Sequence, residues 1–286
     1  MDVDIYKYIL LFSIFHSSTY LMFSIGFSML FGVAKIPNLA YGSLYIFSSY
    51  IMYALIRYLA LEPVVAALIA VLAAGSMGLL IGETVVKPAL KMPVTIFITT
   101  LAVAYIFEEF FRIEMGLRPI TLPLYPGVTY VLGVPVSNHW FLVLAASLLM
   151  FSLLTVFLKY TVIGRSIRAV AESWDESRRL GINPLKVLRV TFFVSGIYAG
   201  ATGVLLTPLK ALTPTAGWGP LFTAFAIVAL GGVGSVSGTL IASFIYGFLE
   251  QTMTYVLGSG IASISPLILI ILVLVFRPQG IMGRAE

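Results

Sequence analysis

The chain has 286 residues, of which 60% are hydrophobic and 10% are charged, whereas charged residues make up about a quarter of an ordinary soluble protein. Such a chain cannot cover a water-facing surface, and its mean hydropathy of +1.04 is typical of a protein whose outer surface is apolar. The composition therefore excludes a soluble globular domain. The net charge of +5 is interpreted as an excess of basic residues in the loops on one side of a bilayer. Binding to nucleic acid is not indicated.

Several classes of chemistry are excluded by what the sequence lacks. It has no cysteine, so disulfides, iron–sulfur clusters and thiolate catalysis are excluded, and its two histidines, His16 and His139, lie too far apart to form a zinc motif. No glycine is followed by lysine, so the phosphate-binding P-loop is absent. The segment 231–238 has Ser237 in place of the third glycine of a dinucleotide-binding loop. We therefore expect no cofactor, no metal and no catalytic residue.

Long apolar runs predict the architecture. The first run begins at Ile5 after two acidic residues and is too long for the apolar part of a secretory signal, so it is interpreted as a retained membrane helix. A bilayer core of about 30 Å needs a helix of about 20 apolar residues. We therefore predict one all-α, polytopic membrane domain over residues 1–286. Its eight predicted spans lie at 5–33, 39–57, 64–82, 94–112, 138–158, 188–207, 235–257 and 262–277.

A ninth apolar piece, from Leu221 to Leu230, has ten residues and runs into the glycines at 231, 232 and 234. It is too short to cross as a regular helix and predicts a half-helix or a re-entrant segment. A second break occurs where Pro37 removes a backbone donor. Interrupted backbone at membrane depth needs protein or water around it. We therefore predict that both breaks line or gate a translocation path. The residues predicted to do so are Asn38, Tyr41, Gly231, Gly232 and Gly234.

The basic residues predict the orientation. If the ninth piece counts as a crossing and the N-terminus lies outside, four connections and the C-terminal tail lie inside, and they hold 12 of the 17 basic residues. The positive-inside rule favours this arrangement. The N-terminus is therefore expected outside, the C-terminus and the loop 159–189 inside. The twelve residues are Lys35, Lys87, Lys91, Lys159, Arg165, Arg168, Arg178, Arg179, Lys186, Arg189, Arg277 and Arg284.

Ionisable residues inside predicted spans need a physical reason, because a charge at the bilayer centre costs about 2.5 to 3.5 kcal/mol. Glu108 and Glu109 are interpreted as a helix end emerging into water, with Glu108 paired to Arg112 at i,i+4. His16 is expected to make an interior hydrogen bond rather than to relay protons. Glu250 has no basic residue nearby in sequence, so it faces a wet cavity on the path or lies near the outer interface.

Small residues recur at the spacing that lets helices approach closely. We interpret these positions as packing within one subunit, with a subunit interface as the alternative. They are Ser195, Gly196, Ala199, Gly200 and Gly203, then Gly78 and Gly82, then Ser243 and Gly247.

The loop 159–189 contains seven basic residues and a predicted amphipathic helix from Arg165 to Leu180, which Gly181 ends. Its charges are placed to pair Arg168 with Glu172 and Asp175 with Arg179. The spacing alone leaves two interpretations open: a helix lying on the anionic leaflet, or a docking element for a cytoplasmic partner. The apolar positions are Ile167, Val170, Ala171 and Trp174.

Four segments have distinctive sequences: 164–172 (GRSIRAVAE), 180–183 (LGIN), 229–235 (ALGGVGS) with Gly238, and 277–281 (RPQGI) with Gly283. They resemble the permease subunit of branched-chain amino-acid ABC transporters. Upstream, 25–32 (IGFSMLFG), 36–42 (IPNLAYG) and 87–90 (KPAL) also resemble the family. The resemblance covers nearly the whole chain.

The resemblance implies an importer in which two permease subunits, identical or paralogous, form the path in a prokaryotic plasma membrane. Two ABC ATPase subunits would bind beneath, and an extracytoplasmic binding protein would deliver the substrate. The helix in the loop 159–189 would then be the coupling element. The residues assigned to this coupling element are Gly164, Arg165, Arg168, Glu172, Trp174, Asp175, Gly181, Ile182 and Asn183.

The chain departs from the family pattern at Tyr41, where histidine is common, and at 38–40, where the family commonly has Asn or a similar residue followed by Phe-Ala and this chain has Asn-Leu-Ala. Related permeases for urea and short amides therefore remain an alternative. An ion-coupled secondary transporter, in which Glu250 would titrate, is the alternative from another class.

Overall fold

The computed structural model describes residues 2–35, 37–116, 118–122, 124, 127–277 and 279–282. Ile36, Pro278, Gly283 and Arg284, which the sequence interpretation used, lie outside these residues. The described chain is almost entirely helical, with one antiparallel hairpin formed by β1 (Val128–Val131) and β2 (Val134–Ser137). The helices are α1 (Asp2–Ala34), α2 (Tyr41–Leu59), α3 (Pro63–Ile81), α4 (Lys87–Ala89), α5 (Pro93–Met115), α6 (His139–Tyr160), α7 (Val162–Glu172), α8 (Trp174–Arg179), α9 (Pro184–Leu206), α10 (Trp218–Gly231), α11 (Val236–Leu257), α12 (Ser259–Ala262) and α13 (Ser265–Phe276).

The all-α polytopic architecture is confirmed. Within the described residues, six helices are long and apolar enough to cross a membrane. Another predicted span, 39–57, forms α2, which has 19 residues and a largely buried first half. The last predicted span is shorter than expected, because α13 has only 12 residues and extends about 18 Å at 1.5 Å per residue. Gly258, with a φ of +88°, and Pro266 interrupt the apolar run before it becomes one helix.

Two interruptions shape the helical path. The ninth apolar piece forms α10, a helix of 14 residues that ends at Gly231, so the predicted half-helix is present. A π-helical turn over Gly82–Val86 follows α3 and leads into α4. Glu83 in this turn forms an ion pair with Arg189 in α9 and a second one, of 2.9 Å, with Lys87. The π-helical turn is thereby attached to the first turns of α9.

Glycines bring α3 and α9 into backbone contact. A Cβ on Gly78 would lie 2.7 Å from the carbonyl oxygen of Phe192, and a Cβ on Gly196 would lie 2.6 Å from that of Ala74. Larger side chains at these positions would push the helices apart, since ordinary carbon contacts lie near 3.5–4.0 Å. These small residues therefore pack within one subunit, as predicted.

Helix α1 runs through the middle of the bundle and contacts α6, α9, α10 and α11. Its residues from Leu21 to Val33 include many of the most buried side chains of the main core. Gly247 lets α11 approach closely, since a Cβ there would lie 3.0 Å from the backbone nitrogen of Ser17. The β-hairpin packs near the middle of α1, where Val134 and Val136 cluster with Phe15.

Candidate functional site

The loop 159–189 folds against one end of the bundle, which we call the basic end. The predicted single helix from Arg165 to Leu180 is wrong in one respect: the structure divides it into α7 and α8. Ser173 separates them with an extended φ of −151°, and its hydroxyl accepts a hydrogen bond from the backbone N–H of Glu176. The Ser173 side chain therefore caps α8, in the manner that favours a new helix start.

The predicted apolar face of this loop lies on the core of the subunit. Ile167 and Val170 are buried, and Trp174 packs beside them. The Trp174 Nε1–H donates a 2.9 Å hydrogen bond to the carbonyl oxygen of Val33, an acceptor freed at the end of α1. Trp174 therefore fixes α8 to α1.

Gly164 fixes the start of α7 against α6. A Cβ on this residue would lie 2.5 Å from the Cα of Leu158 and closer still to the backbone carbonyl of Phe157. The Thr161 hydroxyl accepts a 2.9 Å hydrogen bond from the backbone N–H of Gly164. Only glycine fits this junction without moving one of the helices.

The opposite face of α7 and α8 carries exposed charges, at Arg165, Arg168, Glu172 and Asp175. Asp175 forms its ion pair with Arg178, at 3.7 Å. The predicted pairing with Arg179 was therefore wrong by one residue. The pairing of Arg168 with Glu172 stays a prediction.

After α8 the chain turns sharply into α9. Gly181 has a φ of +81°, a left-handed conformation that favours glycine, and Ile182 packs against the core. The Asn183 side chain accepts hydrogen bonds from the backbone N–H groups of Leu185 and Lys186, at 3.0 and 3.3 Å. The segment 181–183 therefore joins the charged surface rigidly to α9.

The glycine break after α10 also lies at the basic end. A Cβ on Gly32 would lie 2.8 Å from the Cα of Gly234, and a Cβ on Gly280 would lie 2.5 Å from the backbone nitrogen of Gly232. The backbone N–H of Met282 donates a 3.1 Å hydrogen bond to the carbonyl of Gly231. Two of the segments that carry the family resemblance, 229–235 and 277–281, are therefore in direct contact.

The break before α2 is held by hydrogen bonds. Asn38 is buried, and its side-chain oxygen accepts a 3.0 Å hydrogen bond from the N–H of Ala40. The N–H of Leu39 donates to the Thr100 hydroxyl in α5 at 3.3 Å. Tyr41 is fully buried and donates to the carbonyl of Phe23 at 3.1 Å. Asn38 and Tyr41 therefore shape the break from inside the subunit.

An open-sided cavity of about 510 Å³ lies between α5, α10, α1 and this break, and Phe97, Tyr105 and Phe222 on its wall are partly exposed. Pro37 and Leu39 form its edge at the break, and aromatic rings form most of its wall. Ligand pockets of this size, about 300–1,000 Å³, are usually lined by apolar and aromatic side chains. The remaining lining residues are Phe27, Phe97, Leu101, Tyr105, Trp218, Leu221, Phe222 and Phe225.

Glu108 lies deeper beside this cavity. Its predicted ion pair with Arg112 is confirmed at 2.7 Å, but the prediction that it emerges into water is wrong, because Glu108 is only 7% exposed. The Trp218 Nε1–H in α10 donates a 2.9 Å hydrogen bond to its other carboxylate oxygen. Glu109, its neighbour in sequence, is the exposed residue of the two.

Glu250 lies in a polar cluster on the other side of α1. Tyr20 donates a hydrogen bond to its carboxylate, and Lys210, distant in sequence, lies close enough to interact with its charge. Desolvation lowers the pKa of Lys210, and the Glu250 charge opposes this shift. His16 stacks on Trp140, but its buried Nδ1 has no hydrogen-bond partner among the described residues, so the hydrogen bond predicted for His16 is not made by that atom.

The sequence interpretation missed the aromatic wall of the cavity and Lys210. A signal for the wall was present, because residues 97, 101 and 105 and residues 218, 222 and 225 recur at helical spacing and place large apolar side chains on one face of each helix. Lys210 had no such signal, since only the tertiary fold brings it near Glu250.

Known proteins similar to this chain are transport permeases. The family described as "Branched-chain amino acid transport system / permease component" matches residues 9–276. The high-affinity branched-chain amino acid transport system permease proteins LivH of Escherichia coli strain K12 and BraD of Pseudomonas aeruginosa are 28% and 27% identical to it, over 94% of this chain in both cases and 92% and 93% of the relatives.

A probable branched-chain amino acid transport permease protein LivH of Methanocaldococcus jannaschii is 26% identical, over 97% of this chain and 92% of the relative. No solved structure gave a significant match. Because the family match covers nearly all of the chain, including α7, α8 and the glycine break, the chain belongs to the permease-component family of branched-chain amino acid transport systems.

Proposed function

We propose that this chain is the permease subunit of an ABC importer and moves branched-chain amino acids across a prokaryotic plasma membrane. It pairs with a second permease subunit, receives substrate from an extracytoplasmic binding protein and is driven by two ATPase subunits. The basic end, with the loop 159–189 and the C-terminal tail, faces the cytoplasm, and the N-terminus faces outward. The family match and the functions of the similar permeases support this proposal.

The apolar cavity between α5 and α10 is the observation that carries the substrate class. A branched aliphatic side chain gains free energy in an apolar cavity, at about 25 cal/mol per Å² removed from water. Urea and short amides would instead lose hydrogen bonds to water against such walls. The lining of Phe97, Trp218, Phe222 and Phe225 therefore favours branched-chain amino acids over the urea and amide alternative.

The packing supplies a mechanical route from the ATPase to this cavity. The exposed charges of α7 and α8 bind the ATPase. When the ATPase moves α7 and α8, the segment 181–183 transmits this movement to α9. The glycine contacts and the Glu83–Arg189 ion pair couple α9 to α3 and to the π-helical turn. The chain then enters α5 through α4, and α5 forms one wall of the cavity.

Transport by the reconstituted complex tests this function. The permease, its ATPase subunits and the binding protein are assembled in proteoliposomes, and uptake of labelled leucine, isoleucine, valine and urea is measured with and without ATP. We expect ATP-dependent uptake of the three amino acids and none of urea.

Vesicles that contain the permease alone, tested under a proton or sodium gradient, provide the matched control. Uptake by these vesicles would contradict the ABC mechanism and support the secondary-transporter alternative, whereas uptake of urea alone by the full complex would contradict the substrate class.

A further inference from the structure

The aromatic cavity adjoins a small, mostly apolar cavity of about 10 Å³, comparable to one water molecule. Glu108 and Ser43 are the polar side chains in its lining. Leu39, Trp218 and Leu221 line both cavities. The two cavities therefore meet at these three side chains, and Glu108 lies on the wall of the smaller one.

Glu108 is an unusual residue to bury here. A charged group inside a membrane protein is costly unless it is paired, and such groups mark functional positions more often than packing positions. A carboxylate accepts about four hydrogen bonds, and Arg112 and Trp218 provide one each, at 2.7 and 2.9 Å. Glu108 therefore retains acceptor capacity beside the cavity.

Arg112 places a positive charge next to this carboxylate. Its Nη1 contacts Glu109 at 3.2 Å, and its Nε–H is buried without a hydrogen-bond partner among the described residues. A guanidinium presents several N–H donors in a fixed plane that matches a carboxylate. A negative and a positive group thus lie together one helical turn apart on α5, and Glu108 lines the smaller cavity.

We infer that Glu108 and Arg112 bind the charged backbone of the transported amino acid, with its side chain in the aromatic cavity. Glu108 accepts hydrogen bonds from the α-ammonium group, and Arg112 donates to the α-carboxylate. Trp218, which lines both cavities, releases its hydrogen bond to Glu108 when the substrate binds. The ammonium group then donates to Glu108 in its place. This inference rests on the proposed function, because it names the site at which that substrate is held.

Binding of substrate and of truncated analogues to the complex of permease and ATPase subunits, in nanodiscs without the binding protein, tests the site. The ligands are leucine and 4-methylpentanoate, which is leucine without its ammonium group. Glu108→Gln keeps the shape and a carbonyl acceptor for Trp218 but removes the charge. Glu114→Gln is the matched control, on the exposed surface of the same helix.

We expect Glu108→Gln to raise the dissociation constant for leucine at least tenfold and not to raise that for 4-methylpentanoate, since only leucine loses a hydrogen bond between two charged groups. Glu114→Gln should leave both constants within about twofold of the wild type. Unchanged leucine binding by Glu108→Gln, or equal weakening for both ligands, would show that Glu108 only links α5 to α10 and would overturn the inference.

A variant of Arg112 provides a second test if the complex with Glu108→Gln fails to assemble. Arg112→Gln should abolish the preference for leucine over 3-methylbutylamine, which lacks the carboxylate, and a preserved preference would overturn the inference. Failure of the proposed function has a different signature, because the wild-type complex would then neither bind nor transport leucine.

Discussion

Substitution of Gly164 by alanine tests whether the junction of α6 and α7 transmits movement. The new Cβ would lie 2.5 Å from the Cα of Leu158, about 1 Å closer than an ordinary carbon contact. Both the Leu158 Cα and the Phe157 carbonyl belong to the backbone of α6, so neither can rotate away. We therefore expect α7 to move by about 1 Å.

The magnitude follows from two opposing effects. Overpacking of a close contact costs about 1–3 kcal/mol, whereas replacing glycine by alanine inside a helix favours the helix by about 1 kcal/mol. Gly164→Ala should therefore be destabilising by up to about 2 kcal/mol at this junction. Gly260→Ala is the matched control, because a Cβ at Gly260 meets nothing within 4 Å.

The assay is leucine uptake and ATP hydrolysis by the reconstituted complex. Gly164→Ala should reduce uptake at least fivefold and reduce the stimulation of ATP hydrolysis by the loaded binding protein, with membrane insertion unchanged. Gly260→Ala should transport as the wild type does. Wild-type uptake by Gly164→Ala would refute the argument that α7 must be held rigidly on α6.

Three further predictions concern the basic end. Leu180 is 77% exposed, and Leu180→Ala should weaken co-purification with the ATPase, by about 2 kcal/mol if this side chain is an interface anchor; unchanged co-purification would contradict this role. The chain has no cysteine, so Ser173→Cys should react with an impermeant thiol reagent only from the cytoplasmic side, and labelling of intact cells would reverse the orientation. Trp174→Phe should lower the thermal stability of the subunit less than Trp174→Ala, because it loses about 1 kcal/mol of hydrogen bonding rather than the 3–5 kcal/mol of a deleted aromatic ring; equal losses would show that the bond to Val33 dominates.

The sequence by itself determined that the outer surface of this protein is apolar, as in a lipid bilayer, and where most of its helices form. A chain with 10% charged residues has to place apolar side chains on its outside, and runs of about 20 apolar residues satisfy their backbone groups only as helices. The short helix α10 was predictable for the same reason, since ten apolar residues before a run of glycines cannot span a bilayer. The amphipathic spacing of Ile167, Val170 and Trp174 also indicated which face of the basic loop is buried, and the structure confirms it.

The tertiary structure decided which distant residues meet. Periodicity describes one helix at a time and cannot place Trp218 against Glu108 or Lys210 near Glu250, since these partners come from different helices and loops. For the same reason, the sequence suggested that Glu108 emerges into water, whereas α10 covers it. The break at Ser173 was also decided by packing, because Trp174 reaches Val33 from a separate helix. The candidate site is therefore a product of helix packing, and the sequence specified its residue types but not their arrangement.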